Sequence, residues 1–368
     1  MSYLALDLRY TKQSVTLVIW VDLGSITVTE EELGFLRRKC SYFPESFLEY
    51  LKNFRLKPNQ EVKVEFHPVP SPREGGDEDG DLTITIAGSW AGTILYEIPL
   101  LVLVSESYFR FTDTDWDYTG QKENAFEKGV RLLQGGCAFS EFGTRRRRSY
   151  ATQEVVLRGL MKAAEEHKQS NINTGGVFTG TSNVHFAHRF GTSSPPTYTQ
   201  ETKAEYRFDL DPIGTVAHEW FMGIAAITQN YITANLVGLE KWVSCFRSGV
   251  LGIALTDTFG TEQFLKCFRL ERPGIGLTYA EVYTGVRQDS GDPEGFVLIM
   301  KKFYTDLEEE TGRKVDRKTV VFSDSLNVDL CLRYKTCAEE NGFATSFGVG
   351  TFLTSSLPHT RSRCVYDY

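Results

Sequence analysis

The second half of this chain repeats one local pattern, a short apolar run that ends in Gly, Ser, Thr or Asp and leads into helical sequence. The pattern occurs in GGVFTGTSN (175–183), VLGIALTDTFGT (250–261), AEVYTGVRQDSGD (280–292), KTVVFSDSLN (318–327) and ATSFGVGT (344–351). Strands that alternate with helices predict a parallel sheet with crossover connections. Since the carboxyl ends of parallel strands meet at one edge, the pattern favours a βα-barrel with a polar active face. The alternative is that Asp and Gly merely end these strands, as turn chemistry allows.

The first part of the chain has a different, mixed α and β character. TEEELGFLRRKCSYF (29–43) starts with a capping box and has helical spacing. EVKVEF (61–66) and DLTITIAG (81–88) alternate apolar and polar residues, which predicts an antiparallel hairpin with a long loop. A buried helix is expected near 93–111. We therefore predict an α+β domain over 1–135 and a catalytic barrel domain over 136–351.

Charge and cysteine spacing exclude several classes of protein. Lys and Arg number 40 against 48 Asp and Glu, a net charge of −8, whereas nucleic-acid binding needs a basic domain or stripe. The seven cysteines form no Cys-x-x-Cys pair, so free thiols are expected and a zinc site is not.

The longest apolar run, TILYEIPLLVLVSESYF (93–109), contains Glu97 and Pro99. This composition predicts a buried helix and argues against a membrane span. We also expect no signal peptide at the start of the given sequence. We expect a soluble protein that binds no membrane. Its expected location is the cytoplasm, with the nucleus as a second possible location.

Two strand ends carry groups that suit a phosphorylated sugar. In GVRQDSGDP (285–293), Arg287 can hold an anion, while Asp289 and Asp292 can take hydroxyl groups or Mg²⁺. In VFSDSLN (321–327), Asp324 ends another strand. A salt-bridged turn is the simpler explanation for either motif alone.

A glycine-rich turn ends the last strand. In FGVGT (347–351), the backbone N–H groups of Gly348 and Gly350 can cradle a phosphate with the help of the Thr351 hydroxyl. The motif is weak by itself, and its value is that it follows two other strand ends suited to an anion or a ribose.

One histidine lies in a comparable position. His218 follows a Gly-Thr turn in DPIGTVAHEWFMG (211–223) and precedes an apolar helix. A lone histidine near a helix start is more often structural than catalytic. The zinc motif His-Glu-x-x-His is excluded because position 222 is Met. A nucleophilic or phosphate-facing role for His218 stays open.

Four consecutive arginines, Arg145 to Arg148, directly follow Phe142-Gly143-Thr144 in this acidic chain. Since bulk nucleic-acid binding is excluded, the run is either a local anion site or a solvated face.

Together these segments resemble nicotinate phosphoribosyltransferase of the fungal and bacterial type. The resemblance is carried by SEFGTRRRRS, TGTSNV, PIGTVAHEW, ALTDTFGT, GVRQDSGDP and SDSLNV, and upstream by GSWAGTILYEIPLLVLVSESYF. It implies a type II phosphoribosyltransferase fold, in which an irregular βα-barrel packs against an α+β open-faced sandwich domain. It also implies a homodimer whose subunits share each active site.

The resemblance implies an enzyme and its reaction. Nicotinate, phosphoribosyl pyrophosphate and ATP would give nicotinate mononucleotide, pyrophosphate, ADP and phosphate, the entry step from nicotinate to NAD. The pyridine nitrogen would attack the anomeric carbon as pyrophosphate leaves, while Mg²⁺ and cationic side chains hold the departing charge. His218 matches the family histidine that ATP phosphorylates, and hydrolysis of this phosphohistidine would drive the unfavourable equilibrium.

The resemblance also assigns residues. Phe142 matches the aromatic residue that stacks on the pyridine ring. Ser182 matches a position where the related nicotinamide enzyme carries Asp, so Ser favours nicotinate. The implied nicotinate pocket consists of Phe142, Arg145, Thr181, Ser182, Thr215 and Arg287. The implied phosphoribosyl pyrophosphate site consists of Asp289, Asp324, Gly348, Gly350 and Thr351, and the implied catalytic residues are His218, Arg287 and Asp289. Arg146 to Arg148 would serve the polyanionic substrates or the subunit interface, and no metal ligand is assigned.

Three segments depart from the family pattern. Residues 1–27 lack its Asp-x-Tyr-Lys motif, residues 192–210 are inserted, and residues 352–368 form an atypical tail. Two hypotheses follow. The chain is either an active nicotinate phosphoribosyltransferase, or a catalytically deficient paralogue or fragment that at most dimerises.

Overall fold

The structure is a computed structural model that describes residues 2–11, 23–68, 79–170, 172–192, 210–211, 213–214, 216–355 and 366–367. The chain forms two compact units. The first consists of Met1–Asn124, Gly143–Arg158 and Leu353–Tyr368, and the second of Ala125–Phe142 and Gly159–Phe352. The predicted boundaries at 135 and 351 stay a prediction. Most of the inserted segment 192–210, namely 193–209, lies outside the described residues.

Up to residue 111 and at the chain end, the described residues of the first unit form four strands and five α-helices. They are β1 Ser2–Thr11, α1 Glu30–Lys39, α2 Glu45–Asn53, α3 Pro58–Glu61, β2 Val62–Pro68, β3 Asp79–Ile86, α4 Trp90–Thr93, α5 Glu97–Phe111 and β10 Tyr366–Asp367.

The strands of the first unit form one antiparallel sheet in the order β10-β1-β3-β2. In β3, Leu82, Ile84 and Ile86 are buried and alternate with partly exposed residues, as the sequence pattern predicted. These three side chains pack against Tyr96 and the apolar face of α5. The hairpin and the buried helix are therefore present. The pairing of β1 with β3 was not predicted.

Helix α1 begins as the sequence predicted. The Thr29 side chain accepts a hydrogen bond from the Glu32 backbone N–H, and the Glu32 carboxylate accepts one from Thr29 N at 2.8 Å. Two backbone donors that a helix start leaves unpaired are thereby satisfied.

The arginine run lies in the first unit, where its members have different surroundings. Arg147 Nε donates to Glu106 Oε1 at 2.7 Å. Arg148 is only 2% exposed, and its guanidinium lies 5.3 Å from the ring centre of Phe109 and 5.8 Å from that of Trp116. For Arg148 the predicted substrate or interface role is wrong, because its side chain is enclosed in the core of this unit.

We expect Arg148→Ala to lower the free energy of unfolding by about 3 kcal/mol, because it removes a buried side chain and a desolvated cation–π contact. Arg110 is the matched control, since its guanidinium lies at the same 5.3 Å from a phenylalanine ring but is exposed. Arg110→Ala should cost about 0.5 kcal/mol. Thermal or urea unfolding measures both variants, and equal losses would contradict a core role for Arg148.

Between residues 121 and 354, the described helices and strands are interspersed, and two or three helices follow one another in places. They are α6 Gln121–Gln134, β4 Ala138–Glu141, α7 Tyr150–Gln169, β5 Val177–Thr181, α8 Val184–Thr192, α9 His218–Thr228, α10 Tyr231–Phe246, β6 Ile253–Leu255, α11 Thr261–Phe268, α12 Tyr279–Val282, β7 Gly285–Gln288, α13 Pro293–Thr311, β8 Thr319–Phe322, α14 Val328–Glu340, β9 Ala344–Val349 and α15 Thr351–Thr354.

The six strands β4 to β9 form a parallel sheet in the order β5-β4-β9-β8-β7-β6. Residues at the carboxyl ends of neighbouring strands are level with one another. Glu141 is paired with both Thr181 and Val349, and Gln288 with Phe322. The polar strand ends singled out in the sequence therefore share one edge of one sheet. Among the described helices, none is both long and apolar enough to cross a bilayer.

Candidate active site

His218 is the first residue of α9, and its ring lies between residues that follow β6 and β7. Nε2 is 3.2 Å from Asp289 Oδ2, and Nδ1 is 3.0 Å from Thr258 Oγ1. A second carboxylate oxygen, Asp257 Oδ1, lies 3.8 Å from Nε2. Because a carboxylate only accepts hydrogen bonds, we assign the ring proton of the neutral imidazole to Nε2.

Asp289 is held from several sides. Arg287 Nη2 donates to its Oδ1 at 2.8 Å, and the Ser323 hydroxyl donates to the same oxygen at 2.6 Å. Arg287 Nη1 also donates to the Val216 backbone oxygen at 3.1 Å. The predicted residues His218, Arg287 and Asp289 are thus in direct contact, although residues 218 and 289 are far apart in the chain.

These contacts set the charge of the two titratable groups. The hydrogen bond to Asp289 raises the pKa of His218. Burial opposes the rise, and the negative charges of Asp257 and Asp289 add to it. Burial alone would raise the pKa of Asp289, but the bond from His218, the charge of Arg287 and the bond from Ser323 hold it well below the usual range. Asp289 is therefore an anion at neutral pH.

Asp257, Thr258 and Ser323 were not predicted as site residues from the sequence. Asp257 comes after β6 as Asp289 comes after β7, so the strand-end pattern itself could have found it. The Ser290 hydroxyl donates to Asp257 Oδ2. The other oxygen of Asp257 is buried and accepts no hydrogen bond from the described residues.

Asp292 has a structural role. It is the N-cap of α13, and its Oδ1 accepts a hydrogen bond from the Glu294 backbone N–H at 3.2 Å. Asp292 therefore caps this helix, and its interpretation as an acid for hydroxyl groups or Mg²⁺ stays a prediction.

Phe142 follows β4, and its backbone N–H donates to Val349 O at 2.8 Å. A side chain at Gly348 would place its Cβ only 2.7 Å from the Phe142 ring, so glycine allows the ring to lie against the end of β9. Gly348 lies inside β9, and only Gly350 and Thr351 follow the strand. The residues predicted to contact the pyridine ring and the phosphate are thus neighbours.

Thr181 and Ser182 are fixed by the end of β4. The fully buried Thr181 hydroxyl donates to Glu141 Oε2 at 2.6 Å and accepts from the Asn183 backbone N–H at 3.0 Å. Ser182 N donates to Glu141 O at 2.9 Å. The Ser182 side chain is partly exposed, so of the two it is the better placed to meet a ligand.

The remaining predicted residues lie as follows. Arg145 belongs to the first unit, where its Nη1 donates to Glu97 Oε1 at 2.9 Å. Asp324 and Thr351 are exposed at the ends of β8 and β9. Thr215 lies outside the described residues.

Within the described part of the chain, no three His, Cys, Asp or Glu side chains are grouped so that they could hold a metal ion.

Comparison with known proteins agrees with the predicted resemblance. The sequence profile of the nicotinate phosphoribosyltransferase (NAPRTase) family matches residues 137–368, and that of the NAPRTase N-terminal domain matches residues 18–105. A relative from Schizosaccharomyces pombe is 45% identical over 336 residues, which are 91% of this chain and 72% of the relative. The nicotinate phosphoribosyltransferase of Saccharomyces cerevisiae is 40% identical over 356 residues, 91% of this chain and 75% of the relative.

A crystal structure of a nicotinate phosphoribosyltransferase from S. cerevisiae is similar to the present fold. Its TM-score is 0.81 at 37% sequence identity, with 96% of this chain and 78% of that chain covered. The predicted type II phosphoribosyltransferase fold is thereby confirmed. The recognition made from the sequence motifs is confirmed as well. The chain belongs to the nicotinate phosphoribosyltransferase family.

Proposed function

We propose that this chain transfers the phosphoribosyl group of phosphoribosyl pyrophosphate to the ring nitrogen of nicotinate, in a reaction coupled to ATP. The products are nicotinate mononucleotide, pyrophosphate, ADP and phosphate, the first step of NAD formation from nicotinate. The observation that carries the proposal is the contact between His218, Asp289 and Arg287 at the carboxyl edge of the parallel sheet.

In this proposal, His218 accepts the γ-phosphoryl group of ATP. With its proton on Nε2, the neutral ring has its lone pair on Nδ1, next to the Thr258 hydroxyl at 3.0 Å. A bond forms from Nδ1 to the γ-phosphorus as the bond from that phosphorus to the bridging oxygen of ADP breaks. The ring then becomes cationic, and the carboxylates of Asp289 and Asp257 stabilise this charge.

The phosphoribosyl transfer is assigned to the surroundings of Arg287 and Asp289. The pyridine nitrogen forms a bond to the anomeric carbon as the bond from that carbon to the pyrophosphate oxygen breaks. Positive charge develops on the ribose in the transition state, and a fixed, ionised Asp289 beside it is stabilising. Asp324, Gly350 and Thr351, at neighbouring strand ends, are proposed to bind the phosphates and hydroxyl groups of the donor.

Nicotinate is proposed to bind between the ends of β4 and β5. The Phe142 ring would stack on the pyridine. Ser182 and Thr181 would lie beside it. The role of Arg145 at the nicotinate carboxylate stays an implication of the resemblance, and in the first unit its Nη1 is paired with Glu97 Oε1 at 2.9 Å.

Mg²⁺ is expected to enter with the substrate phosphates. The described residues do not form a cage for the ion. Mg²⁺ commonly keeps several waters and binds through one or two carboxylates together with substrate phosphates. The homodimer implied by the resemblance and the cytoplasmic location expected from the sequence belong to the proposal too, and sedimentation of the purified chain measures the first.

The proposal is tested with the purified 368-residue chain, nicotinate, phosphoribosyl pyrophosphate and MgATP. We expect nicotinate mononucleotide and pyrophosphate in equal amounts, with nicotinamide a poor substitute for nicotinate. A folded chain that forms no product, with or without ATP, would favour the alternative of a catalytically deficient relative.

The phosphorylation of His218 should depend on pH in a defined direction. A protonated imidazole has no lone pair, so the rate should fall as the pH drops through the pKa of His218. Because Asp289 and Asp257 raise this pKa, the midpoint should lie above the ordinary histidine value of about 6.5. Initial labelling rates with radioactive ATP between about pH 5 and 9 measure it.

Asp257→Asn is the matched variant for this prediction. It removes one negative charge at the same shape, and the midpoint should move down towards the ordinary value. A midpoint that stays in place or rises in this variant would contradict the assigned electrostatics.

A further inference from the structure

Ser323 is the first residue after β8. Its hydroxyl lies between Arg287, which belongs to the adjacent strand β7, and Asp289, which follows that strand. The hydroxyl oxygen accepts a hydrogen bond from Arg287 Nε at 2.7 Å. Its single proton has two acceptors within reach, Asp289 Oδ1 at 2.6 Å and Gln288 O at 3.3 Å. The ionised carboxylate is nearer and is the stronger acceptor, so the proton goes to Asp289.

This bond determines how the Asp289 carboxylate is turned. Oδ1 receives donors from both Ser323 and Arg287, and this leaves Oδ2 to face His218 Nε2 at 3.2 Å. The terminal torsion of an aspartate is broad, so the side chain itself does not fix this orientation. Without Ser323, Oδ1 would lose one donor and Arg287 Nε would lose its acceptor.

The orientation matters because His218 has a choice of partners. Asp257 Oδ1 lies 3.8 Å from the same Nε2, and the Thr258 hydroxyl lies beside Nδ1. A hydroxyl can donate or accept, so Thr258 is compatible with a proton on either ring nitrogen. Asp257 Oδ1 lies beyond hydrogen-bond distance of Nε2, whereas Asp289 Oδ2 lies within it at 3.2 Å, so a well-directed Oδ2 is the main contact that favours the Nε2–H form.

We propose that Ser323 is a positioning residue, whose hydroxyl holds Asp289 so that His218 keeps its proton on Nε2 and presents a free Nδ1. The chemical consequence, rapid transfer of a phosphoryl group to Nδ1, rests on the proposed function. The effect on the ring proton does not, because it follows from the hydrogen bonds of the free protein.

The experiment compares Ser323→Ala with Ser323→Thr, which keeps a hydroxyl group. Ser107→Ala is the control, since that hydroxyl is buried in the first unit and donates to the backbone oxygen of Leu103. Long-range ¹⁵N–¹H NMR of histidine-labelled protein reports which nitrogen of His218 carries the proton, and a His218→Asn sample assigns the signal. Labelling with radioactive ATP gives the phosphorylation rate.

The wild type and Ser107→Ala should show His218 with the proton on Nε2. Ser323→Ala should show a substantial share of the Nδ1–H form, and its labelling rate should fall about 10- to 100-fold, as expected when a supporting hydrogen bond is removed. Ser323→Thr should restore both readouts to near the wild-type values.

Two results would overturn the role of Ser323. One is an unchanged proton position in Ser323→Ala. The other is equal damage in the Ala and Thr variants together with a lowered melting temperature, which would mean a packing role. A wild type that is never labelled and forms no product, but whose ring proton moves in Ser323→Ala, would overturn the proposed function and support the role of Ser323.

Discussion

The His218→Asn variant should acquire no phosphate from ATP, whereas the wild type should carry an acid-labile, base-stable phosphate. Asparagine can still donate to Asp289 but has no nucleophilic nitrogen, so the fold should survive while the phosphoryl acceptor is lost. Because the transfer of the phosphoribosyl group is assigned to Arg287 and Asp289, the variant should still form product slowly without ATP, and added ATP should not accelerate it. Autoradiography and a product assay on the same preparation measure both properties.

His67→Asn is the control for His218→Asn. His67 is an exposed histidine in β2 of the first unit, so its replacement should leave the label and the product unchanged. Label retained in His218→Asn would show that another residue is phosphorylated. A label in the wild type without product would locate the defect in the pyridine site.

The Ser182→Asp variant should lose affinity for nicotinate by at least about a hundredfold. The new carboxylate would face the carboxylate of nicotinate, and such like-charge pairs cost on the order of several kcal/mol in a poorly solvated site. Ser182 comes directly after β5, and its backbone N–H donates to the backbone oxygen of the buried Glu141. Binding of neutral nicotinamide should change far less. Isothermal titration with both ligands measures the difference.

Ser182→Asn separates charge from shape. Asparagine has the size of aspartate without its charge, so it should affect nicotinate and nicotinamide similarly. If Asp and Asn weaken nicotinate equally, Ser182 acts through the shape of the pocket, and the assigned basis of selectivity is wrong.

Much of the local structure could be predicted from the sequence, because short-range rules determine it. The capping box at Thr29 and the alternation in β3 depend on residues three or two positions apart. The polar strand ends were informative for the same reason, since parallel strands place their carboxyl ends together whatever the connecting loops do. Asp289 was found in this way, and Asp257 fits the same rule.

Contacts between distant residues could not be predicted from the sequence alone. Ser323 looks like an ordinary turn residue until β8 and β7 are paired, and only then does its hydroxyl meet Arg287. The N-cap role of Asp292 was hidden by its neighbour Asp289, because both are acids in one short motif. Arg148 was misjudged because burial depends on α5 and on Trp116, which lie about 30 to 50 residues earlier in the chain.

The arginine run has a consequence for the long-range electrostatic field of the protein. Counted from the sequence, it is a block of four positive charges that would attract any polyanion from a distance. In the folded chain, Glu97 and Glu106 offset Arg145 and Arg147 within about 3 Å, and aromatic rings enclose Arg148. The block therefore projects a much weaker field than its formal charge suggests.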